Sequence, residues 1–511
     1  MINYDLKKMG VDYLLVNSTN KYLLEYVPIE ENSVNKLTGF TGDVGDALVC
    51  PDGKILLFVD SRFHIQADLE VDKSKVEVVK LKLGQNINEK ICSRIAKNSS
   101  VGVDLEKVSQ ARLEVLKAFL DVLNSNIKAY SSNEHCRTGE YVKINFENEK
   151  LSKIEDNILI TKSEELSYLC NIRSFSFNYS TKVDGKLLIL DNKPYLFTDY
   201  KGNELDYTRP LSEFKTFISN LNCQIKVDKS SVNALDYSLI KNPVSIESPI
   251  KQMKAVKTDT EIKHMEFCFN MTDKALKATR DWIYSTNNIT EYDIAKELEN
   301  NFKKFGAKSL SFKSIVAINQ NSALAHYNKS DKTNVMKDGD LVLIDCGAYY
   351  EGGLATDITR VFVKGEPKKL QKEVYTTVLK VFLNCFNYQM TSQTTGYEID
   401  KLAHHIFDSN KIKGFEFSHG LGHGVGIGVH EAPPNLSKNE IAKTIIQENM
   451  CFTIEPGLYN EKEFGVRLEN TCHLKNGEII SFAKMCFEKK LIEYNLLTEY
   501  EKDILANFEV I

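Results

Sequence analysis

The chain has 511 residues, 42% of them hydrophobic and 26% charged, with a formal net charge of -5. That length is too great for one hydrophobic core and points to two to four domains. So small a net charge gives no electrostatic ground for a nucleic-acid or anionic-membrane partner.

The first residues carry no signal-peptide pattern, and no apolar run reaches the roughly 18 residues that a membrane-spanning helix needs. The 11 cysteines fall in no paired spacing, which reads as reduced thiols in a cytosolic protein. Residues 11–60 alternate apolar strands with turn-rich stretches, and Asp60-Ser61-Arg62 leads into a helical pattern. The polar stretch from Ser131 to Glu140 reads as a linker. A second α/β pattern follows. The expected domains are therefore 1–132, 133–247 and 248–511. Within the first two, Asp52-x-Lys54-x-x-Leu57-Phe58-x-Asp60 matches Asp191-x-Lys193-x-x-Leu196-Phe197-x-Asp199 at every spacing. A duplicated domain explains the match, and so does chance likeness between two strands.

The third unit opens with a capping box, Thr258-x-x-Glu261, ahead of a long helix whose buried face is Ile262, Met265, Phe269, Thr272, Leu276, Thr279 and Ile283. A second helix is expected from Thr290 to Phe305, stopped by Gly306. Strands are predicted around 309–318, 340–346 and 357–363, helices over 368–390 and 397–410, and strand and loop over 412–475.

Four clusters in this unit carry metal-ligand chemistry, because carboxylates and imidazoles are the donors that hydrolytic metal sites use. Asp345 ends an apolar strand, Gly352-Gly353 supplies a turn and Asp357 begins the returning strand, so a hairpin would bring the two aspartates together. His419, His423 and His430 fall within twelve residues, interleaved with glycines that let backbone approach a ligand. Glu455 and Glu469 each stand in an apolar strand, where an interior carboxylate needs a cation or an arginine beside it. A lysine partner for Glu469 is the plainer alternative. His404, His405, His264 and His473 are read as ordinary surface or packing residues, and Cys346 as a small buried one.

The order Asp345, Asp357, His423, Glu455, Glu469 resembles the pita-bread metallopeptidases: methionine aminopeptidase, aminopeptidase P and prolidase. The fold this implies is two related small α/β domains followed by a pita-bread catalytic domain. The five residues would hold two divalent ions, manganese by first choice, with zinc, cobalt or iron compatible with the same ligands. His326, His419 and His430 match the extra histidines of the Xaa-Pro branch, and Arg467 matches an active-site arginine. Leu37 to Gly42 and Asp60 to Phe63 are similar to the first domain of aminopeptidase P. Ile160 to Lys162 with Leu169 to Arg173 is similar to the middle domain of its three-domain form, and Leu496 to Thr498 with Glu501 to a shortened C-terminal segment.

By that resemblance, Glu455 is the general base toward a metal-activated water. His326 or His430 donates to the oxyanion, His419 orients substrate or relays a proton, and Tyr459 and Arg467 form the rim of a proline pocket. The substrates would be peptides with proline second, and a cytoplasmic homodimer is expected. Two departures stand out. The aspartates are one position further apart than the family spacing, with the extra residue at Gly352-Gly353, and the His423 to His430 spacing resembles short-form enzymes and prolidases. A prolidase, a catalytically silent pita-bread module and a methionine aminopeptidase are the competing readings.

Overall fold

The computed structural model describes residues 4–82, 84–132, 137–146, 149–202, 205–327 and 329–511. Residues 133–136 of the expected linker lie outside the described residues. The chain forms two compact units. One takes in residues up to 143, 147–172 and 183–248; the other takes in 144–146, 173–182 and 249–511.

The first unit contains two six-stranded sheets. In the first sheet, β1 (Tyr13–Asn17), β2 (Asp46–Val49), β3 (Ile55–Val59), β4 (Val76–Lys80), β5 (Ser100–Asp104) and β6 (Asn126–Tyr130) lie in the order β4-β3-β2-β1-β5-β6. The second has β7 (Ile158–Ile160), β8 (Lys186–Leu190), β9 (Lys193–Phe197), β10 (Thr208–Arg209), β11 (Ile225–Val227) and β12 (Pro243–Ser245), in the order β10-β9-β8-β7-β11-β12. In each sheet the first three strands pair antiparallel and the remaining pairings are parallel. Strand order and pairing sense are thus the same, and the two copies of the sequence match fall on the equivalent strands β3 and β9. The shared topology is what a duplicated domain would give.

Why β1 is apolar from Tyr13 to Val16 follows from its surroundings. Tyr13 and Leu15 enter one apolar cluster and Leu14 and Val16 another, so both faces of the sheet are covered.

In the second unit, α1 (Asp259–Ser285) starts at the expected capping box and buries all seven expected residues. The helix α2 (Glu291–Lys304) has its own box between Thr290 and Asp293, and Gly306 takes up a φ of +90° just beyond it. The next two helices are α3 (Lys369–Phe386), which stops short of the expected 390, and α4 (Gly396–Ser409). The strands are β13 (Ile315–Ile318), β14 (Leu341–Cys346), β15 (Ile358–Val363), β16 (Cys451–Ile454), β17 (Gly457–Tyr459), β18 (Gly465–Arg467), β19 (Glu469–Lys475) and β20 (Glu478–Ser481). They form an antiparallel sheet β13-β14-β15-β19-β16 with β20 on β19, and a separate β17–β18 pair.

Residues 173–182, expected within the second α/β domain, belong to this unit because Thr181 Oγ1 donates to the Gly353 carbonyl at 2.9 Å and Tyr179 N–H to that of Leu310 at 3.1 Å. Leu341 and Leu343 of β14 and Val361 and Val363 of β15 share one apolar cluster with Val374, Val378 and Phe382 of α3. Two residues further along the same strand face come Asp345 and Thr359.

Candidate metal centre

The site is laid out by strand register. Asp345 pairs with Thr359, and Thr359 with Glu469. The last β16–β19 pair is Ile454 with Asn470, so one step further sets Glu455 beside Glu469. Four residues, two from 345–359 and two from 455–469, therefore form one row across the sheet, and Asp357 stands two residues from Thr359 on the same face.

The β14–β15 register runs unbroken from Leu341↔Val363 to Cys346↔Ile358, and Tyr349 bridges Ala355 beyond it. The extra residue is absorbed in the turn where Gly353 N–H donates to the Tyr350 carbonyl and Gly353 takes φ +66°. Asp345 keeps its pairing with Thr359, and Asp357 stands one residue before β15. Glu455 differs slightly from expectation: it lies one residue past the end of β16, not within it.

His423 comes from the two-residue strand Gly422–His423, where its backbone N–H donates to Thr453 Oγ1 at 3.1 Å. A Cβ on Gly422 would stand 2.1 Å from the Thr453 carbonyl oxygen, so only glycine lets this strand lie so close. Nδ1 of His423 is 3.1 Å from the Gly424 carbonyl and, as donor, leaves the Nε2 lone pair facing Asp357 Oδ2 at 3.6 Å and Glu455 Oε1 at 3.3 Å. Donor atoms of Asp357, His423 and Glu469 all lie within 4.8 Å of one another.

Arg467 is buried beneath this group. It donates to Asp345 Oδ2, to the Tyr459 hydroxyl at 2.7 Å and to Thr359 Oγ1 at 3.2 Å, and Thr359 in turn donates to Glu469 Oε2 at 2.7 Å. Tyr459 and Arg467, expected at the rim of a pocket, are 8% and 3% exposed, and their polar atoms are committed to each other, to His419 and to the carboxylates. No lysine pairs with Glu469 among the ion pairs of the described residues. His419 Nδ1 is 2.7 Å from the Gly420 carbonyl and its Nε2 2.8 Å from the Tyr459 hydroxyl. Its Nδ1–H thus donates to the carbonyl, and Nε2 accepts from Tyr459.

The electrostatics match a cation site. Burial first, then neighbouring carboxylates, pushes Asp357 and Glu469 well above the usual carboxylate range. Asp345 is also raised by burial, with Arg467 opposing. For Glu455, burial works upward, but in the metal-free protein with His423 protonated it is outweighed by that ring's hydrogen bond and charge, then by His419 and Arg467, which hold it at about 2. A set of buried carboxylates that disfavour one another, faced by an imidazole lone pair, has a simple remedy in shared divalent cations. The residues present fit that group.

The remaining expected residues take varied places. His430 packs edge-on against His423, ring centroids 4.2 Å apart. His326 lies partly buried in the turn after the short helix Asn319–Ala323, a segment tied to β18 by the bond from Gly465 N–H to Ser322 Oγ at 2.8 Å. His264 packs on Phe146 and Cys268, His473 stacks on Phe482, His404 lies against Phe417, and His405 is exposed. Cys346 is fully buried and its thiol is pushed well up by burial, as a packing residue would be.

Sequence reasoning passed over several contributors. Thr359 links Arg467 to Glu469. Glu431, quoted beside His430 but given no task, is buried with its Oε1 3.4 Å from Lys254 Nζ and 3.6 Å from Lys257 Nζ, while Oε2 accepts from Gly428 N–H at 3.0 Å. Asp400 of α4 accepts from Leu421 N–H at 3.0 Å, and the Leu421 carbonyl accepts from Glu455 N–H at 2.8 Å. The only sequence signal for these was an acid inside or facing a glycine-rich stretch.

A sheet whose cross-strand row ends in clustered carboxylates, completed by an imidazole from a glycine loop, defines a hydrolytic metal site of the oxygen-rich kind. Comparison with known proteins specifies it further. Residues 263–476 match the metallopeptidase family M24, and residues 4–137 match the creatinase/prolidase N-terminal domain. The chain is 26% identical to the Xaa-Pro aminopeptidase 1 of Dictyostelium discoideum, over 98% of this chain and 90% of that one. It is 32% identical to an Xaa-Pro dipeptidase of Pyrococcus horikoshii, over 65% of this chain and 95% of that one. The crystal structure of a Caenorhabditis elegans X-prolyl aminopeptidase, described as a cytosolic enzyme with a di-nuclear active site, superimposes with a TM-score of 0.87 at 22% identity, covering 96% of this chain and 90% of that one. The chain belongs to the M24 metallopeptidase family, with a creatinase-type N-terminal domain ahead of a pita-bread domain, and is a hydrolase. Among the described residues no helix is long and apolar enough to cross a membrane.

Proposed function

We propose that the protein is an Xaa-Pro aminopeptidase, releasing the N-terminal residue from peptides with proline in second place. The observation that carries this reading is the cross-strand row of Asp345, Glu469 and Glu455, with Asp357 and His423 closing on it. Those five residues would hold two divalent cations, manganese by preference because the donors are mostly hard oxygens. When bound, the cations supply a water of lowered pKa and polarise the scissile carbonyl.

The protein's own groups do the rest. Glu455, whose carboxylate lies 3.3 Å from His423 Nε2, would accept the proton of the attacking water as general base. His419 is held neutral, burial lowering its pKa, and its fixed tautomer keeps it hydrogen-bonded to Tyr459. It orients substrate, and any proton it carries toward the leaving nitrogen must displace the Tyr459 bond. Arg467 holds Tyr459 and Asp345 in place, so both residues shape the pocket from within. His430 or His326 would donate to the developing oxyanion. Proline's tertiary amide has no N–H to recognise, so selectivity must come from the shape of the pocket. The proposed protein is cytoplasmic and homodimeric. The C. elegans structure, described as cytosolic, supports the first, and the family resemblance is the ground for the second.

One specific observation favours a second reading, an Xaa-Pro dipeptidase: the relative with 32% identity bears that name. It aligns with 65% of this chain, whereas the Dictyostelium aminopeptidase aligns with 98%. A peptide series separates them. Cleavage of Xaa-Pro tripeptides and longer peptides supports the aminopeptidase, and cleavage of Xaa-Pro dipeptides alone would establish the dipeptidase.

A further inference from the structure

The first turn of α2 carries a carboxylate outside the metal cluster whose two oxygens are both fully engaged. Glu291 has no exposed surface. Its Oε1 accepts from the backbone N–H of Ile318 at 2.7 Å and from the side-chain amides of Asn321 at 2.9 Å and Asn334 at 3.1 Å. Its Oε2 accepts from the Tyr327 hydroxyl at 2.6 Å and the Asp331 N–H at 2.8 Å. Asn321 also donates to the Tyr327 hydroxyl at 3.1 Å.

These five donors come from both sides of His326, the nearest being its immediate neighbour Tyr327. Helix capping does not call for such an arrangement, because Thr290 and Asp293 already satisfy the start of α2. A buried carboxylate is costly unless its lone pairs are filled. Here they are filled by one segment, which the carboxylate gathers from Ile318 to Asn334. Backbone bonds from Tyr292 N–H to the Asp331 carbonyl at 3.1 Å and from Met336 N–H to that of Ile289 at 2.8 Å close the same stretch onto the start of the helix.

We infer that Glu291 is a positioning residue for the substrate side of the active site, fixing the segment that carries His326 and so the place of its imidazole. This rests on the reading of His326 as a substrate contact. Glu291 is fully buried and touches no substrate itself. Glutamine cannot replace it. Each oxygen faces a backbone N–H, Ile318 on Oε1 and Asp331 on Oε2, which can only donate, so an amide NH₂ in either position would meet a donor where a carboxylate oxygen accepts.

The test is a double-mutant cycle on release of arginine from Arg-Pro-Pro by the manganese-loaded enzyme, with kcat and KM determined separately and metal content and Tm recorded for each variant. Glu291→Gln should lower kcat/KM by roughly ten- to a hundredfold, the range expected when a reacting group is misplaced by about 1 Å. It should divide between kcat and KM as His326→Ala does. In the His326→Ala background the same change should cost less than about twofold, because groups that act through one another are not additive. Tyr327→Phe removes one donor and leaves Glu291 in place, so it carries the test if Glu291→Gln fails to fold. Its smaller loss should likewise vanish in the His326→Ala background. Losses that add in full would overturn the inference while leaving the role of His326 standing. A His326→Ala enzyme with unchanged kinetics would overturn the reading of His326 and this inference together.

Discussion

Replacing Arg467 with methionine is the sharpest test of the site's electrostatics. The guanidinium is 3% exposed and its donors go to Asp345, Tyr459 and Thr359. Methionine keeps much of the volume and removes the charge. Asp345, already raised by burial with Arg467 opposing, then loses its partner in a row that also contains Glu455 and Glu469. Breaking a buried pair by removing one member costs about 3–5 kcal/mol. At roughly 2–4 °C per kcal/mol for a unit of this size, the metal-free variant should melt ~6–20 °C below the wild type. The chain's single tryptophan, Trp282, lies on α1 in this same unit, so its fluorescence reports the transition directly. Added manganese should then stabilise the variant more than the wild type, because the site has lost its competing positive charge. A metal-free variant within about 1 kcal/mol of wild type, or one gaining no more from the metal, would refute this account of how the carboxylates are held.

The metal-free protein should also respond to pH in a set direction. Asp357 and Glu469 titrate well above their ordinary range, so above about pH 4 the folded state keeps protons that the unfolded chain has released, and stability falls as pH rises. The stability advantage of metal-free Asp357→Asn over wild type should therefore grow between about pH 4.5 and 7.5 in denaturant melts; an advantage that shrinks contradicts the raised pKa. Gly422→Ala would drive a Cβ to 2.1 Å from the Thr453 carbonyl and push the His423 strand outward. A stability loss of about 1–3 kcal/mol is expected with weaker manganese binding by calorimetry, and full-affinity binding would count against His423 as a ligand.

Local features were the readily legible part of the sequence. The Thr258 capping box and the helix face from Ile262 to Ile283 depend only on neighbouring residues, and the structure has both. One nine-residue match pointed to two sheets of the same topology. The clusters stood out because acids and imidazoles lay beside glycines or inside apolar strands, and the family resemblance then named the individual ligands as well as His326 and Arg467. Their arrangement could not be read from the sequence: that Asp345, Thr359, Glu469 and Glu455 form a row depends on the pairing of Thr359 with Glu469, on strands more than a hundred residues apart. The contact of Arg467 with Asp345 was out of reach for the same reason, since it joins two distant strands. Glu291 looked like any acid in a first helical turn, and only the five donors gathered on it distinguish it.

Release of arginine from Arg-Pro-Pro, followed by the metal-depleted protein during a manganese titration and beside a Glu455→Gln variant, tests the central claim most directly. The account predicts activity that rises with manganese to saturation near two ions per chain and is lost in the variant, which should still fold. Full metal loading with no release of arginine from the wild type would contradict the proline aminopeptidase reading. Release that persists in Glu455→Gln would contradict the assignment of the base.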